Sequence, residues 1–140
     1  MSERALYLDT SALVKFIADE RESRALGAAT VGRQVTSSEL ALVELSRAAH
    51  RLGARHDDVA SRATIFAKLE RLLGRLVLVP LNRAQLVVAA SFPEAHLRSL
   101  DAIHLAAALT VGEEVDAVVT YDRRLSRIAR RQDLQVLAPA

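Results

Sequence analysis

Hydrophobic and polar positions along the chain alternate between the period of a β-strand and the period of a helix. Short apolar or β-branched runs predict five strands. They lie at residues 5–8, 34–36, 76–80, 117–121 and 135–138. The segments between them carry apolar residues at helical spacing. They predict helices from just after Asp9 to about residue 20 and over residues 22–31, 38–52, 57–73, 83–91, 99–109 and 123–131.

This alternation of strands and helices predicts the fold class. Strand–helix–strand order over one domain is typical of an α/β sandwich with a small, mainly parallel central sheet. The 140 residues match the length of one domain, and 51% of them are hydrophobic, which suffices for a core. We therefore expect residues 1–140 to form a single α/β domain.

Composition restricts the kind of metal site that the chain can form and the cellular compartment that we expect for it. It contains no cysteine, so any metal is bound through oxygen or imidazole and no disulfide is needed. The residues before the first strand do not resemble a signal peptide, and no apolar run approaches the roughly 20 residues of a membrane helix. We expect a soluble protein with no membrane partner that works in the cytoplasm.

The charges permit nucleic acid as a partner without requiring it. The formal net charge is +2, and lysine occurs only at Lys15 and Lys68, so nearly all basic side chains are arginines. Arginine matches the geometry of phosphate, although a weak basic balance is also typical of solvated helix faces. Aromatic residues make up 4% of the chain, which argues against a base-stacking platform. If RNA binds, contacts to phosphate must supply much of the affinity.

Polar side chains follow three of the predicted strands. In an open parallel sheet, ligands gather beyond the carboxyl ends of the strands. The polar residues at these ends are Asp9, Thr10 and Ser11 after the first strand, Ser37 and Ser38 after the second, and Thr120 and Asp122 after the fourth. Asp116 precedes the fourth strand, at the opposite end of the sheet, and is left out of the candidate site.

Two predicted helices add carboxylates from within apolar stretches, at Glu44 and Asp101. Each acid has an ordinary explanation: Asp9 and Asp122 are placed to cap helices, Asp101 lies in a first helical turn, and Arg47 is placed to pair with Glu44. The alternative is that the four carboxylates converge. Such a cluster requires a cation, because close carboxylates repel one another and shift one another's pKa values. Oxygen ligands suit Mg²⁺ or Mn²⁺, which can activate water for phosphodiester hydrolysis.

Other polar residues receive lesser roles. His104 lies in an alanine-rich helix and is interpreted as a packed structural residue. Arg98 could hold a phosphate or simply be solvated, and Lys15 could extend across apolar surface. The last helix carries a row of arginines, interpreted mainly as a solvated face and alternatively as a guide for RNA. These are Arg123, Arg124, Arg127, Arg130 and Arg131.

Four segments in this order resemble one known family. They are LDTSALVKF, ELALVELSRAAHR, LRSLDAIHLAAAL and VVTYDRRLSRIA, and together they span nearly the whole chain. The sequence resembles the PIN-domain ribonuclease toxins of the VapC type. That resemblance implies a PIN-like α/β/α sandwich and an endoribonuclease that uses Mg²⁺ or Mn²⁺ to cut RNA.

The resemblance also implies roles for individual residues and partners. Asp9 and Asp101 are the main metal ligands, Glu44 and Asp122 complete the acidic set, and Ser11 and Thr120 orient these carboxylates or a water. A cognate antitoxin and a homodimer are implied as well. Apolar positions of the helices at 22–31 and 57–73 are candidate contacts between subunits. They are Leu26, Val31, Ile65, Phe66, Leu69 and Leu72.

Rival functions fit the sequence less well. A phosphatase of the haloacid dehalogenase type needs a second aspartate two residues after the first, where this chain has Ser11. A receiver domain needs a late lysine, and a nucleotide-binding switch needs a glycine-rich phosphate loop; the chain has neither. The serious alternative is a PIN-like module that binds RNA or protein without turnover.

Overall fold

A five-stranded parallel sheet forms the centre of the molecule, which we describe from a computed structural model over residues 4–140. The strands are β1 (Ala5–Leu8), β2 (Val35–Ser38), β3 (Leu76–Val79), β4 (Val115–Val119) and β5 (Val136–Leu137). They lie in the order β3-β2-β1-β4-β5, and every neighbouring pair is parallel. The predicted α/β sandwich with a parallel sheet is therefore confirmed.

Seven α-helices connect the strands within residues 4–140. They are α1 (Thr10–Leu13), α2 (Ser23–Thr30), α3 (Leu40–Gly53), α4 (Val59–Arg75), α5 (Arg83–Ala90), α6 (Ser99–Val111) and α7 (Arg123–Arg131). Short 3₁₀ turns follow α1 at Val14–Phe16 and α6 at Gly112–Glu114. None of the described helices combines the length and apolarity needed to cross a membrane. That the whole of residues 1–140 forms a single domain stays a prediction.

Most predicted elements have ends that differ by one or two residues from those observed, and the second strand includes Ser37 and Ser38 rather than ending before them. Two further differences concern the residues after β1 and strand β4. The helix expected from Asp9 to about residue 20 stops after α1 and one 3₁₀ turn, where β-branched Val14 and Ile17 weaken the helix and buried Ile17 packs into the core. Strand β4 begins two residues earlier than predicted and ends at Val119. Asp116 is therefore the second residue of β4 rather than a residue before it, although it is exposed and still lies at the amino end of the strand.

The apolar helix positions proposed for subunit contacts are mostly inside the molecule. Leu26, Ile65, Leu69 and Leu72 are buried in the core between the sheet, α3 and α4, and Phe66 packs against that core from a partly buried position. Val31 alone of the six is well exposed, at 74%. The predicted contact surface is wrong, because this small core buries more of the α2 and α4 apolar faces than the sequence pattern indicated.

Candidate active site at the carboxyl edge of the sheet

The chain order of the strands creates a crevice between β1 and β4. Along the chain, β2 and then β3 add to one side of β1, and β4 adds to the other side of β1. The change of direction is the point where open α/β sheets bind ligands, beyond the carboxyl ends of the strands. Leu8 pairs with Val119 at the ends of these two strands, so the residues that follow, Asp9 and Thr120, come out side by side.

Asp9 is the most tightly held of the predicted site residues. It is 3% exposed and caps α1 by accepting from the Ala12 amide at 3.1 Å. The Ser11 hydroxyl donates to its Oδ1 at 2.7 Å, and the Thr120 hydroxyl donates to its Oδ2 at 2.6 Å. Burial raises the pKa of Asp9, and the hydrogen bonds from Thr120 and Ser11 oppose that rise. Both carboxylate oxygens are therefore fixed in direction.

Thr120 also connects Asp9 to Asp122. The Thr120 oxygen accepts from the Asp122 amide at 3.1 Å. Asp122 caps α7, its Oδ1 accepting from the Arg124 amide at 2.8 Å and from the Leu125 amide at 3.1 Å. The capping roles expected for Asp9 and Asp122 are thus confirmed.

Glu44 is held by a histidine rather than by Arg47. His104 Nε2 lies 2.7 Å from Glu44 Oε1, and the Thr10 hydroxyl donates to the same oxygen at 2.5 Å. Burial raises the pKa of Glu44, but the hydrogen bonds from His104 and Thr10 outweigh it and leave the pKa below its ordinary value. Glu44 is therefore a carboxylate at neutral pH, and the hydrogen between the two side chains lies on His104 Nε2.

His104 extends this contact into the core. It is 2% exposed, and its Nδ1 lies 2.8 Å from the hydroxyl of fully buried Tyr7. Burial raises the pKa of Tyr7 well above its ordinary value, so the hydroxyl stays protonated and shares a hydrogen bond with Nδ1. The interpretation of His104 as a packed residue misses its contact with Glu44. Their spacing of 60 residues carried no local signal, because two separate helices, α3 and α6, bring them together.

Asp101 is the carboxylate without a partner. It is half-buried in the first turn of α6, and no residue in the range 4–140 donates a hydrogen bond to it. Burial raises its pKa, and repulsion from Asp122, Asp9 and Glu44 raises it further. The other three predicted acids therefore lie within electrostatic reach of Asp101.

The remaining candidates lie outside this cluster. The Ser37 hydroxyl donates to the Leu8 carbonyl at 2.7 Å, and Ser38 accepts from the Leu40 amide, so both serines serve the backbone. Lys15 bridges Glu20 and Glu22 at 2.9 Å each and lies 4.6 Å from the centre of the Tyr121 ring. Arg98 is exposed at the N-terminus of α6.

The oxygen atoms at the site can be compared with the ligands that a metal ion requires. Among residues 4–140, no three or more histidine, aspartate and glutamate side chains form a ready-made group of ligands for one ion. Mg²⁺ usually takes only one or two protein carboxylates and fills its other positions with water and substrate phosphate. Fixed Asp9 and unpartnered Asp101 suit that mode, since both are oxygen ligands and a cation would relieve the repulsion at Asp101.

Comparisons with known proteins agree with this architecture. A model of the PIN domain matches residues 6–131. Ribonuclease VapC35 of Mycobacterium tuberculosis is 40% identical over 140 aligned residues, covering 96% of each chain. Ribonuclease VapC47 of the same species is 38% identical over 125 residues and 86% of each chain. Ribonuclease VapC46 is 35% identical, covering 97% of this chain and 98% of its own.

A solved structure shares the fold at low sequence identity. It is the crystal structure of VapBC2 from Rickettsia felis bound to a DNA fragment from their promoter. The match has a TM-score of 0.63 and 15% identity, and covers 97% of this chain and 99% of that one. Together with the relatives above 30% identity, the match to the family model decides the classification. The chain belongs to the PIN-domain family and, within it, to the VapC-type ribonuclease toxins.

Proposed function

We propose that this protein is a Mg²⁺- or Mn²⁺-dependent endoribonuclease that hydrolyses RNA phosphodiester bonds at the crevice between β1 and β4. The observation that carries the proposal is the arrangement of Asp9, Glu44 and Asp101 at one edge of the sheet: two carboxylates fixed by hydrogen bonds and a third that is unpartnered and repelled by its neighbours. Repulsion of this kind is characteristic of sites that hold a cation.

Each side chain has a task in this proposal. Asp9 and Asp101 hold the ion, and Glu44 and Asp122 complete the negative set around it. A bound Mg²⁺ or Mn²⁺ supplies charge neutralisation and activates water for attack on phosphorus. Ser11 and Thr120 fix the two oxygens of Asp9, whereas Thr10 and His104 fix Glu44. The site is thus organised before substrate arrives, which lowers the cost of reaching the transition state.

Cleavage of a panel of structured RNAs tests this proposal. The purified protein is assayed with Mg²⁺, with Mn²⁺ and with EDTA, beside Asp9→Asn and Asp101→Asn. The matched control is Asp57→Asn, an exposed aspartate outside the site. We expect metal-dependent cutting by the wild type and by the control, and a loss of at least about a hundredfold in both site variants, as for other removed catalytic groups.

Equal cutting by all four proteins would contradict the proposal and point to a contaminating nuclease. RNA binding without metal-dependent cutting by any of them would favour the alternative, a PIN-like module that binds without turnover.

A toxin function also implies a partner protein and a working compartment. We propose that a cognate antitoxin covers this site, supported by similarity to the VapC-type relatives, and that the cytoplasm, where RNA is available, is the working compartment. Expression of the wild type should arrest growth, and co-expression of its antitoxin should restore it. Asp101→Asn should not arrest growth.

A homodimer is proposed on the same grounds, with a second copy covering α5 in place of the surface predicted on α2 and α4. Three consecutive apolar residues of α5 are exposed, Leu86 by 47%, Val87 by 62% and Val88 by 39%. Exposed apolar side chains grouped in this way are typical of subunit interfaces. Light scattering should therefore give twice the monomer mass for the wild type and the monomer mass for Val87→Asp, and a monomeric wild type would contradict the dimer.

A further inference from the structure

A groove adjoins the carboxyl edge of the sheet beside Asp122. Its volume is about 580 Å³, and its walls come from α7, the residues after β4 and the last residues of the chain. Thr120 and Asp122, which belong to the candidate active site, are among its lining residues, together with several residues of α7. The groove therefore adjoins the carboxylate cluster through Asp122.

Four arginines of α7 line this groove: Arg123, Arg127, Arg130 and Arg131. All four are exposed, and none of their side chains forms a hydrogen bond or an ion pair with any residue of the described range 4–140. Glu22, an acid that also lines the groove, is already paired with Lys15 at 2.9 Å. The groove thus presents several unneutralised positive charges beside a negative catalytic cluster.

The spacing of these arginines gives the groove a direction. Arg123, Arg127 and Arg130 recur at intervals of four and three residues, so they share one face of α7. At 1.5 Å per residue, the row extends about 10 Å from the site end of the helix. Each side chain can therefore meet a different negative group of an extended chain that leaves the crevice.

We propose that this groove binds the phosphate backbone of the RNA strand on one side of the scissile bond. This inference rests on the proposed endoribonuclease function, and it names the path of the substrate. A polymer cut internally must leave the site in both directions, and the groove joins the site at Asp122. Four carboxylates repel a polyanion, so RNA needs a counteracting positive field next to them, which the arginine row supplies. Arginine forks bind phosphate with two parallel hydrogen bonds.

The experiment compares two pairs of substitutions that remove equal charge. The test pair is Arg127→Ala with Arg130→Ala, and the control pair is Arg51→Ala with Arg124→Ala. The side chains of Arg51 and Arg124 are exposed, form no hydrogen bond or ion pair with described residues, and do not line the groove. Binding of a short fluorescein-labelled single-stranded RNA is measured by fluorescence anisotropy in EDTA, which keeps the RNA intact, at salt concentrations from about 50 to 200 mM.

The expected result is a change in salt dependence that is confined to the test pair. Each phosphate contact contributes about 0.7 to the slope of log affinity against log salt for single strands, so loss of two contacts lowers the slope by about 1.4. Over a fourfold change in salt, the wild type should lose about sevenfold more affinity than the test pair. The control pair should keep the wild-type slope. In the cleavage assay, the test pair should raise KM and leave kcat unchanged.

Three outcomes would overturn the inference. They are a wild-type slope in the test pair, an equal fall in both pairs, and no RNA binding by the wild type. A test pair that binds RNA normally but binds the antitoxin more weakly would assign the groove to a protein partner instead. Failure of the proposed function looks different: the wild type then cuts no RNA with any metal, while the slopes in EDTA still separate the two pairs.

Discussion

Three substitutions of His104 separate the effect of its hydrogen bond to Glu44 from the effect of its hydrogen bond with Tyr7. In His104→Gln, the amide nitrogen reaches the position of Nε2 and can still donate to Glu44. In His104→Asn, the shorter side chain remains near Tyr7 and cannot reach Glu44. In His104→Leu, a side chain of similar size makes neither hydrogen bond. Each variant therefore removes a different part of the contacts seen at 2.7 Å and 2.8 Å.

The magnitude follows from the burial of these contacts. His104 is 2% exposed and the Glu44 side chain is 20% exposed, so water replaces little of what is lost. A hydrogen bond to a charged group contributes about 1.5–3 kcal/mol and a neutral one about 0.5–1.5 kcal/mol. We expect His104→Leu to lower the free energy of unfolding by about 3 kcal/mol, and His104→Gln by about 1 kcal/mol. For a chain of this size, these losses correspond to about 12 °C and 4 °C in Tm.

Measurements of activity distinguish a role of His104 in positioning Glu44 from a role in stability alone. Below the lowest Tm of the set, His104→Gln should keep most of the kcat for RNA cleavage, whereas His104→Asn and His104→Leu should lose it. In a Glu44→Gln background, His104→Asn should cost little further activity, because its effect passes through Glu44. Calorimetry supplies the stabilities and single-turnover cleavage the rates. If His104→Gln lost as much activity as His104→Leu, or if His104→Leu melted with the wild type, the reasoning would be refuted.

Two further predictions concern the acids. Asp101→Asn should raise the free energy of unfolding near pH 7 while it abolishes cleavage. The pKa of Asp101 is raised in the folded state, so the charged carboxylate lowers the stability of the wild type above that pKa. In acid, near about pH 3, the carboxyl is largely protonated in both the folded and the unfolded state, and the gain should disappear. Urea unfolding at the two pH values measures this, and an unchanged stability at pH 7 would contradict it. Asp122→Ala should lower the free energy of unfolding by about 1 kcal/mol through loss of the α7 cap, whereas Asp122→Asn should lower it by less. Equal urea midpoints for both Asp122 variants would refute the capping argument.

Local pattern and sheet topology predicted the part of the site that directly follows the ends of strands. Asp9 and Thr120 are far apart in sequence, but parallel neighbours end at the same edge, so the rule for open sheets places them together. The capping of α1 and α7 was likewise readable, because aspartate directly before an apolar helical pattern is a local signal. Sequence reasoning succeeded where position depended on the backbone alone.

Contacts between helices were not predictable in the same way. The pairing of His104 with Glu44 depends on how α3 and α6 rotate and pack, which the hydrophobic pattern defines only to within a face. The apolar faces of α2 and α4 had the same ambiguity, since exposed and buried stripes look alike in sequence. Leu69 and Leu72 proved to be core residues, while exposed Val87 lies in a helix that the pattern did not distinguish.

The acids of the site differ in how far hydrogen bonds from the protein compensate their charge. Asp9 and Glu44 are surrounded by donors, so the protein itself compensates much of the cost of their charge. Asp101 is left without a donor although Ser and Thr residues lie close to the other acids, and the fold bears this repulsion in the folded state. A group kept destabilised in this way gains most when a cation arrives. The expected opposition between stability and activity in Asp101→Asn is therefore a consequence of how the site is built, and it would be absent if the carboxylates served only as helix caps.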